Sequence, residues 1–100
     1  MKGKLITITD ITYIVRPLAE RYNIKQVYLF GSYAREEATE DSDVDILVCG
    51  GDGFKLTKVF AFAEELRKAL NKDVDVFEIN EIDQESDFYK TIMKERVLVA

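Results

Sequence analysis

Histidine is absent from this 100-residue chain, and cysteine and proline occur once each. Without an imidazole there is no Ser-His or Cys-His catalysis, no ring acid–base group near neutral pH and none of the usual zinc sites. Cys49 has no second thiol to pair with, which fits a reducing cytoplasm as the expected compartment. No apolar run approaches the ~20 residues of a membrane span, so neither a membrane segment nor a leader is expected. Glycine is sparse at five residues, and no stretch reads as a linker, a repeat or a low-complexity tract. Any chemistry must therefore rest on carboxylates, hydroxyls, amines and bound metal.

Cationic charge is also in short supply. Fourteen basic against nineteen acidic residues give a formal charge of −5, which argues against broad, sequence-independent nucleic-acid binding. A single nucleotide is not excluded, because its phosphates can be met by metal and backbone N–H groups. What is plentiful is core material: 47% of the residues are apolar, including six Phe and five Tyr. Residues 1–100 are expected to form one domain.

The expected elements follow from periodicity. Ile11, Ile14, Val15 and Leu18 fall at helical spacing after Asp10, a candidate N-cap, with Asn23 as the stop. Pro17 inside that pattern predicts a kink or a later helix start. Val27-Tyr28-Leu29-Phe30 reads as a buried strand ending at Gly31, followed by a helical turn over Ala34–Glu37 and a polar connection through Ser42. From Asp43 to Val48 the chain alternates, with Val44, Ile46 and Val48 opposite Asp43, Asp45 and Leu47. Gly50-Gly51-Asp52-Gly53 reads as a turn; it lacks the Lys-Ser/Thr ending of a Walker loop. Leu56, Val59, Phe60, Ala63, Leu66 and Leu70 predict an amphipathic helix with Glu64 and Lys68 paired on its wet side. Asp73–Ile79 predicts a third strand, Asp87–Lys94 a last helix and Val97-Leu98-Val99 a short edge strand. The first two strands are joined too closely for a crossover helix and should pair antiparallel, whereas the intervening helix allows the second and third to run parallel. The fold class is α+β, a small mixed sheet flanked by helices.

Asp43 and Asp45 project from one strand face, roughly 7 Å apart along the chain. Two carboxylates about 5 Å apart repel by about 3 kcal/mol at an effective dielectric near 20. A divalent cation reverses the sign of that interaction, and hard oxygen donors suit Mg²⁺ or Mn²⁺. A solvated face of an exposed strand explains Asp-x-Asp without any metal. A third acid in a second apolar strand weighs against that reading: Asp75 lies between Val74 and Val76, with Asp73 at the strand entry as its rival. Gly31-Ser32 after an apolar strand adds a place where backbone N–H groups and a hydroxyl can hold phosphate oxygens.

Leu29-Phe30-Gly31-Ser32-Tyr33-Ala34-Arg35, then Ala38, then Ser42-Asp43-Val44-Asp45-Ile46-Leu47-Val48 resembles the signature of the minimal nucleotidyltransferases (MNT domains) of the DNA polymerase β-like superfamily. The likeness extends to the Val-Asp-Val of the third strand and to the ending Ile92-Met93-Lys94-Glu95-Arg96-Val97-Leu98. The resemblance implies Mg²⁺-dependent transfer of a nucleoside monophosphate, AMP from ATP, to a hydroxyl. It assigns catalysis and the holding of two metal ions to Asp43, Asp45 and Asp75. Nucleotide contacts would come from Gly31, Ser32, Arg35 and Ser42; for Arg35, a surface pair with Glu36 or Glu37 is an equal alternative. One residue departs from the pattern: the family has Gly where this chain has Glu36, which sets an extra anion beside the phosphate loop. Free-standing MNT domains resemble antitoxins that act on HEPN-domain ribonuclease toxins, so a HEPN toxin with a Tyr acceptor is the expected partner. Two rival functions remain at this stage: a non-catalytic antitoxin that neutralises its partner by contact, and nucleotidyl transfer to a small hydroxyl compound.

Overall fold

The computed structural model describes residues 5–100; the first four positions of the expected domain lie outside them. Among the described residues, four helices and four strands alternate: α1 (Ile8–Arg21), β1 (Gln26–Phe30), α2 (Gly31–Ala34), β2 (Val44–Cys49), α3 (Leu56–Leu70), β3 (Val74–Glu78), α4 (Asp87–Glu95) and β4 (Val97–Leu98), with a 3-10 turn at Ile79–Glu81. They form one mixed sheet of order β3-β2-β1-β4. As expected, β1 and β2 are antiparallel, and β2 and β3 are parallel across α3. The short β4 closes the edge beside β1.

Two layers of side chains cover the sheet, and its strand alternation sets both. Val44, Ile46 and Val48 join Val27, Leu29 and Val74 in a core with Ile11, Val15 and Leu18 of α1 and Phe62 and Leu66 of α3. Leu47 and Phe30 turn to the opposite face, where Ile92 of α4 covers them. Phe88 of α4 completes that side by packing on Phe30 and Phe77 at ring-centre distances of 5.9 and 5.3 Å. Asp45 and Asp75 have the parity of Leu47 and Phe77, so the acids share the α4 face of the sheet.

Three local expectations are corrected by the structure. The N-cap of α1 is Thr7, not Asp10. The two side chains form a reciprocal capping box, with each backbone N–H donating to the other's side-chain oxygen at 3.0 Å. The helix starts at Ile8 and continues through Pro17. The carbonyl this proline leaves unbonded belongs to Tyr13, a residue on the exposed face of the helix. In α3 the buried stripe runs Val59, Phe62, Ala63, Leu66, Leu70, whereas Leu56 and Phe60 are exposed. Glu64 meets Arg67 at 3.5 Å on the wet side, one position before the expected Lys68. Asn23, as expected, ends the first helix, adopting a left-handed conformation at φ 55°. Among the described residues no helix is long and apolar enough to cross a membrane.

Candidate active site

Strand register creates the site. In the parallel pair of β2 and β3, Asp45 stands opposite Asp75; in the antiparallel pair of β1 and β2, it stands opposite Phe30, the residue before Gly31. Three chain segments therefore bring the Gly31 turn, the Asp-x-Asp pair and the third acid to one end of the sheet. Asp75, rather than Asp73, is the register partner of Asp45, and Asp73 precedes the strand. Asp43 lies just before β2, exposed, two residues from Asp45 and on its side of the chain.

The electrostatics of this end are unfavourable as they stand. Burial raises the pKa of the Asp45 carboxyl from its ordinary 3.8 to about 6, and the neighbouring charges of Asp75 and Asp43 push it the same way. The charge of Arg35 opposes this rise only in part, and two cations on the flanking segments bond backbone carbonyls. Lys72, buried, donates from Nζ to the Glu40 carbonyl at 2.8 Å, and Arg67 straddles the Val74 carbonyl with Nε at 3.2 Å and Nη2 at 3.0 Å. Both bonds pin the chain beside an acid: Glu40 precedes Asp43, and Val74 precedes Asp75. Ser42 contributes in the same way. Its hydroxyl accepts from the Thr39 N–H at 2.8 Å and its own N–H donates to the Thr39 carbonyl at 3.0 Å, closing the turn that delivers Asp43.

Among the described residues no three acids stand in the geometry of a ready-made metal cage. A bound divalent charge would offset the burial and the neighbouring negative charges that raise the Asp45 pKa.

Gly31 fits tightly against Asp45. It is the first residue of α2, so the helical turn begins three residues earlier than Ala34–Glu37 would place it. Its φ is +75°, and a Cβ there would lie 2.2 Å from Asp45 Oδ2. Only glycine allows both the backbone angle and the approach of the carboxylate. Its N–H donates at 2.9 Å to Oε1 of Glu95, the last residue of α4. Arg35, which caps α2, binds both Glu95 oxygens through Nη1 at 3.1 Å and Glu37 through Nε at 2.9 Å. Ser32 sits next to Gly31, half-buried. The residues singled out from sequence thus converge on one sheet end. Glu95 is an addition that residue patterning missed. An acid closing a helix opposes the macrodipole, and that was the available signal.

Glu36, the departure from the glycine pattern, sits in the left-handed region at φ 59°. Glu37 N–H donates to the Ser32 carbonyl at 2.9 Å and Glu36 N–H to the Tyr33 carbonyl at 3.2 Å, which is the paired bonding of a Schellman motif with Glu36 at its C′ position. Glycine is preferred there for backbone reasons alone. The Glu36 side chain is exposed and borders a hollow beside Thr7, Ile8 and Tyr33. Replacing it with glycine, Glu36→Gly, should stabilise the fold by about 1 kcal/mol, a left-handed cost of 1–2 kcal/mol relieved against the added freedom of glycine in the unfolded chain. Denaturant midpoints at unchanged slope measure this; a lower midpoint in the variant would show that the Glu36 side chain is needed in place.

Comparison with known proteins shows what the chain is similar to. A family model described as "Polymerase beta, Nucleotidyltransferase" matches residues 13–100. Protein adenylyltransferase MntA of Thermococcus cleftensis is 35% identical over 99 residues, covering 95% of this chain and 98% of that protein. In fold, the chain is similar to a chain of a crystallised toxin–antitoxin complex with AMP-PNP, at a TM-score of 0.76 and 22% identity over 89% of this chain and 72% of that one. It is also similar to a chain of the complex of tri-AMPylated Shewanella oneidensis HEPN toxin with MNT antitoxin, at a TM-score of 0.71 and 20% identity over 94% of this chain and 72% of that one.

Proposed function

The chain belongs to the polymerase β nucleotidyltransferase family, and from that membership we propose that it transfers AMP from ATP to a tyrosine hydroxyl of a HEPN-domain toxin, acting as the antitoxin of the pair. The observation that carries the chemistry is the pairing of Asp45 with Asp75 beside the Gly31 turn. Asp43, Asp45 and Asp75 would hold two Mg²⁺ ions, with Mn²⁺ as a substitute. Bound there, the ions supply charge neutralisation at the phosphates and a lowered pKa for the attacking hydroxyl.

The chain's own groups do the positioning. Ser32 and the backbone around Gly31 hold the β- and γ-phosphates, with Arg35 beside them and Ser42 holding the turn that carries Asp43. The acceptor oxygen attacks the α-phosphorus, the bond from that phosphorus to the bridging oxygen breaks, and pyrophosphate leaves with the electron pair. Asp75 assists removal of the hydroxyl proton, which passes to solvent. Support for the acceptor class comes from the name of the Thermococcus relative and from the toxin–antitoxin complexes that share the fold. A formal charge of −5 also suits a more basic ribonuclease partner.

Incubation of the purified chain with its cognate HEPN protein, ATP and Mg²⁺ should add the mass of AMP to the toxin, and chelation of divalent ions should stop the reaction. Intact-protein mass spectrometry reads both. A cognate pair with no nucleotide transfer, in which toxin neutralisation also survives loss of all three aspartates, would instead establish an antitoxin that works by contact.

A further inference from the structure

We propose that Glu95 is a positioning residue of the nucleotide site, holding Arg35 and the Gly31 amide in the arrangement that receives the triphosphate. The inference rests on the proposed nucleotidyl transfer. Glu95 lies 60 residues from Arg35 in sequence and 64 from Gly31, yet one carboxylate bonds both: Oε1 accepts from Gly31 N–H at 2.9 Å, and both oxygens accept from Arg35 Nη1 at 3.1 Å. Its side chain is 17% exposed, against 44% for Arg35, so the acid is the sheltered member of the pair and the guanidinium reaches toward solvent.

The placement is costly unless it has partners. Glu95 ends α4, where the partial negative charge of the helix end disfavours an acid. Arg35 and the Gly31 N–H offset that cost, and both belong to the turn on which the phosphates are proposed to sit. The donor arithmetic of Arg35 is specific. Nε is taken by Glu37 and Nη1 by Glu95, and among the described residues Nη2 carries no partner. Two carboxylates thus fix the plane of the guanidinium and leave one amino group uncommitted, a fork held ready for a phosphate oxygen. Ile92, buried one turn earlier in α4 against Leu47 and Phe30, holds the helix that carries Glu95 in register with the acid-bearing strands. The occupant of this fork is the β- or γ-phosphate of a nucleoside triphosphate, which AMP lacks.

The test uses the full chain with Glu95→Ala, Glu95→Gln, Arg35→Ala and the double variant Glu95→Ala/Arg35→Ala. Calorimetry with Mg-ATP, AMP and inorganic tripolyphosphate is read beside steady-state transfer and thermal melting. Glu95→Ala should weaken ATP and tripolyphosphate about tenfold, leave AMP within twofold, and raise KM for ATP with kcat within threefold. Glu95→Gln, which keeps an acceptor for Gly31 N–H, should recover part of the loss. The double variant should lose less than the sum of the two single losses, because the Arg35 route is shared, while the Gly31 route still adds to the Arg35→Ala loss. Additive losses would overturn the inference, as would equal weakening of AMP. Tighter ATP binding in Glu95→Ala would overturn it by making the carboxylate a competitor for the phosphate site. A wild-type chain that binds neither ATP nor tripolyphosphate overturns the nucleotidyltransferase reading together with the inference, which separates that failure from the others.

Discussion

Asp45→Asn is expected to abolish nucleotide transfer, by a factor on the order of 10³, while making the metal-free protein more stable at pH 7. The first effect follows from removing the carboxylate that sits between the other two acids and Gly31; loss of one preorganised electrostatic group in an active site costs about 10²–10³ in kcat. The second follows from linkage. The folded pKa of Asp45, about 6, lies above the ordinary 3.8, so the folded state binds this proton more tightly than the unfolded state. Its ionisation therefore costs stability: the cost is absent below about pH 4, grows as pH rises through the window to about 6, and is fully present above it. Asparagine removes the charge, so the variant should melt higher than wild type at pH 7 in chelator, with the difference closing toward pH 4. Added Mg²⁺ should raise the melting temperature of wild type and do little for the variant, because binding to the folded state is what stabilises. Melting curves at several pH values, with and without Mg²⁺, check all of this. A variant less stable than wild type at pH 7 in chelator would show that burial and the neighbouring acids do not penalise the Asp45 charge.

Parts of this site and its sheet were readable from residues alone. Strand polarity, the mixed sheet and the shared face of Asp43 and Asp45 depend on period-two alternation and on connection length, both local properties. Asp75 was reachable because Val74 and Val76 mark its strand, although the pairing that sets it opposite Asp45 is non-local. Local spacing does not resolve choices between equivalent residues. In α3, Phe60 and Phe62 are both apolar and only two positions apart, and it is the packing of α1 and the sheet that buries Phe62 and leaves Phe60 73% exposed. Asp10 carries the N-cap chemistry one turn too late because its partner, Thr7, completes the box from outside the apolar pattern. Glu95 was the least legible, since its bond to Gly31 N–H spans more than half the chain. The resemblance included Glu36 as an odd acid in a glycine position, and the left-handed φ shows that the position's demand is conformational.

Gly31→Ala should be the most damaging single-methyl change at this site. The added Cβ would lie 2.2 Å from Asp45 Oδ2, 3.1 Å from Cγ and 3.3 Å from Cβ, so either the carboxylate or the turn must move. Alanine at φ +75° adds about 1–2 kcal/mol of left-handed strain, and overpacking of this kind adds about 1–3 kcal/mol more. A total destabilisation of about 2–5 kcal/mol is therefore expected. Transfer should fall by at least about 10²-fold even in the fraction that remains folded, because displacement of a reacting geometry by about 1 Å costs that much. The double variant Gly31→Ala/Asp45→Ala separates the two contributions. With the carboxylate gone, the contacts to Oδ2 and Cγ disappear while the strain and the tight Cβ approach stay. Stability should then recover in part, activity should stay lost, and the two substitutions should couple rather than add. Denaturant unfolding of the four proteins in the cycle measures the coupling. Simple additivity would mean that Gly31 is required only for its backbone angle, and the close approach of Asp45 would lose its claim to explain why glycine stands there.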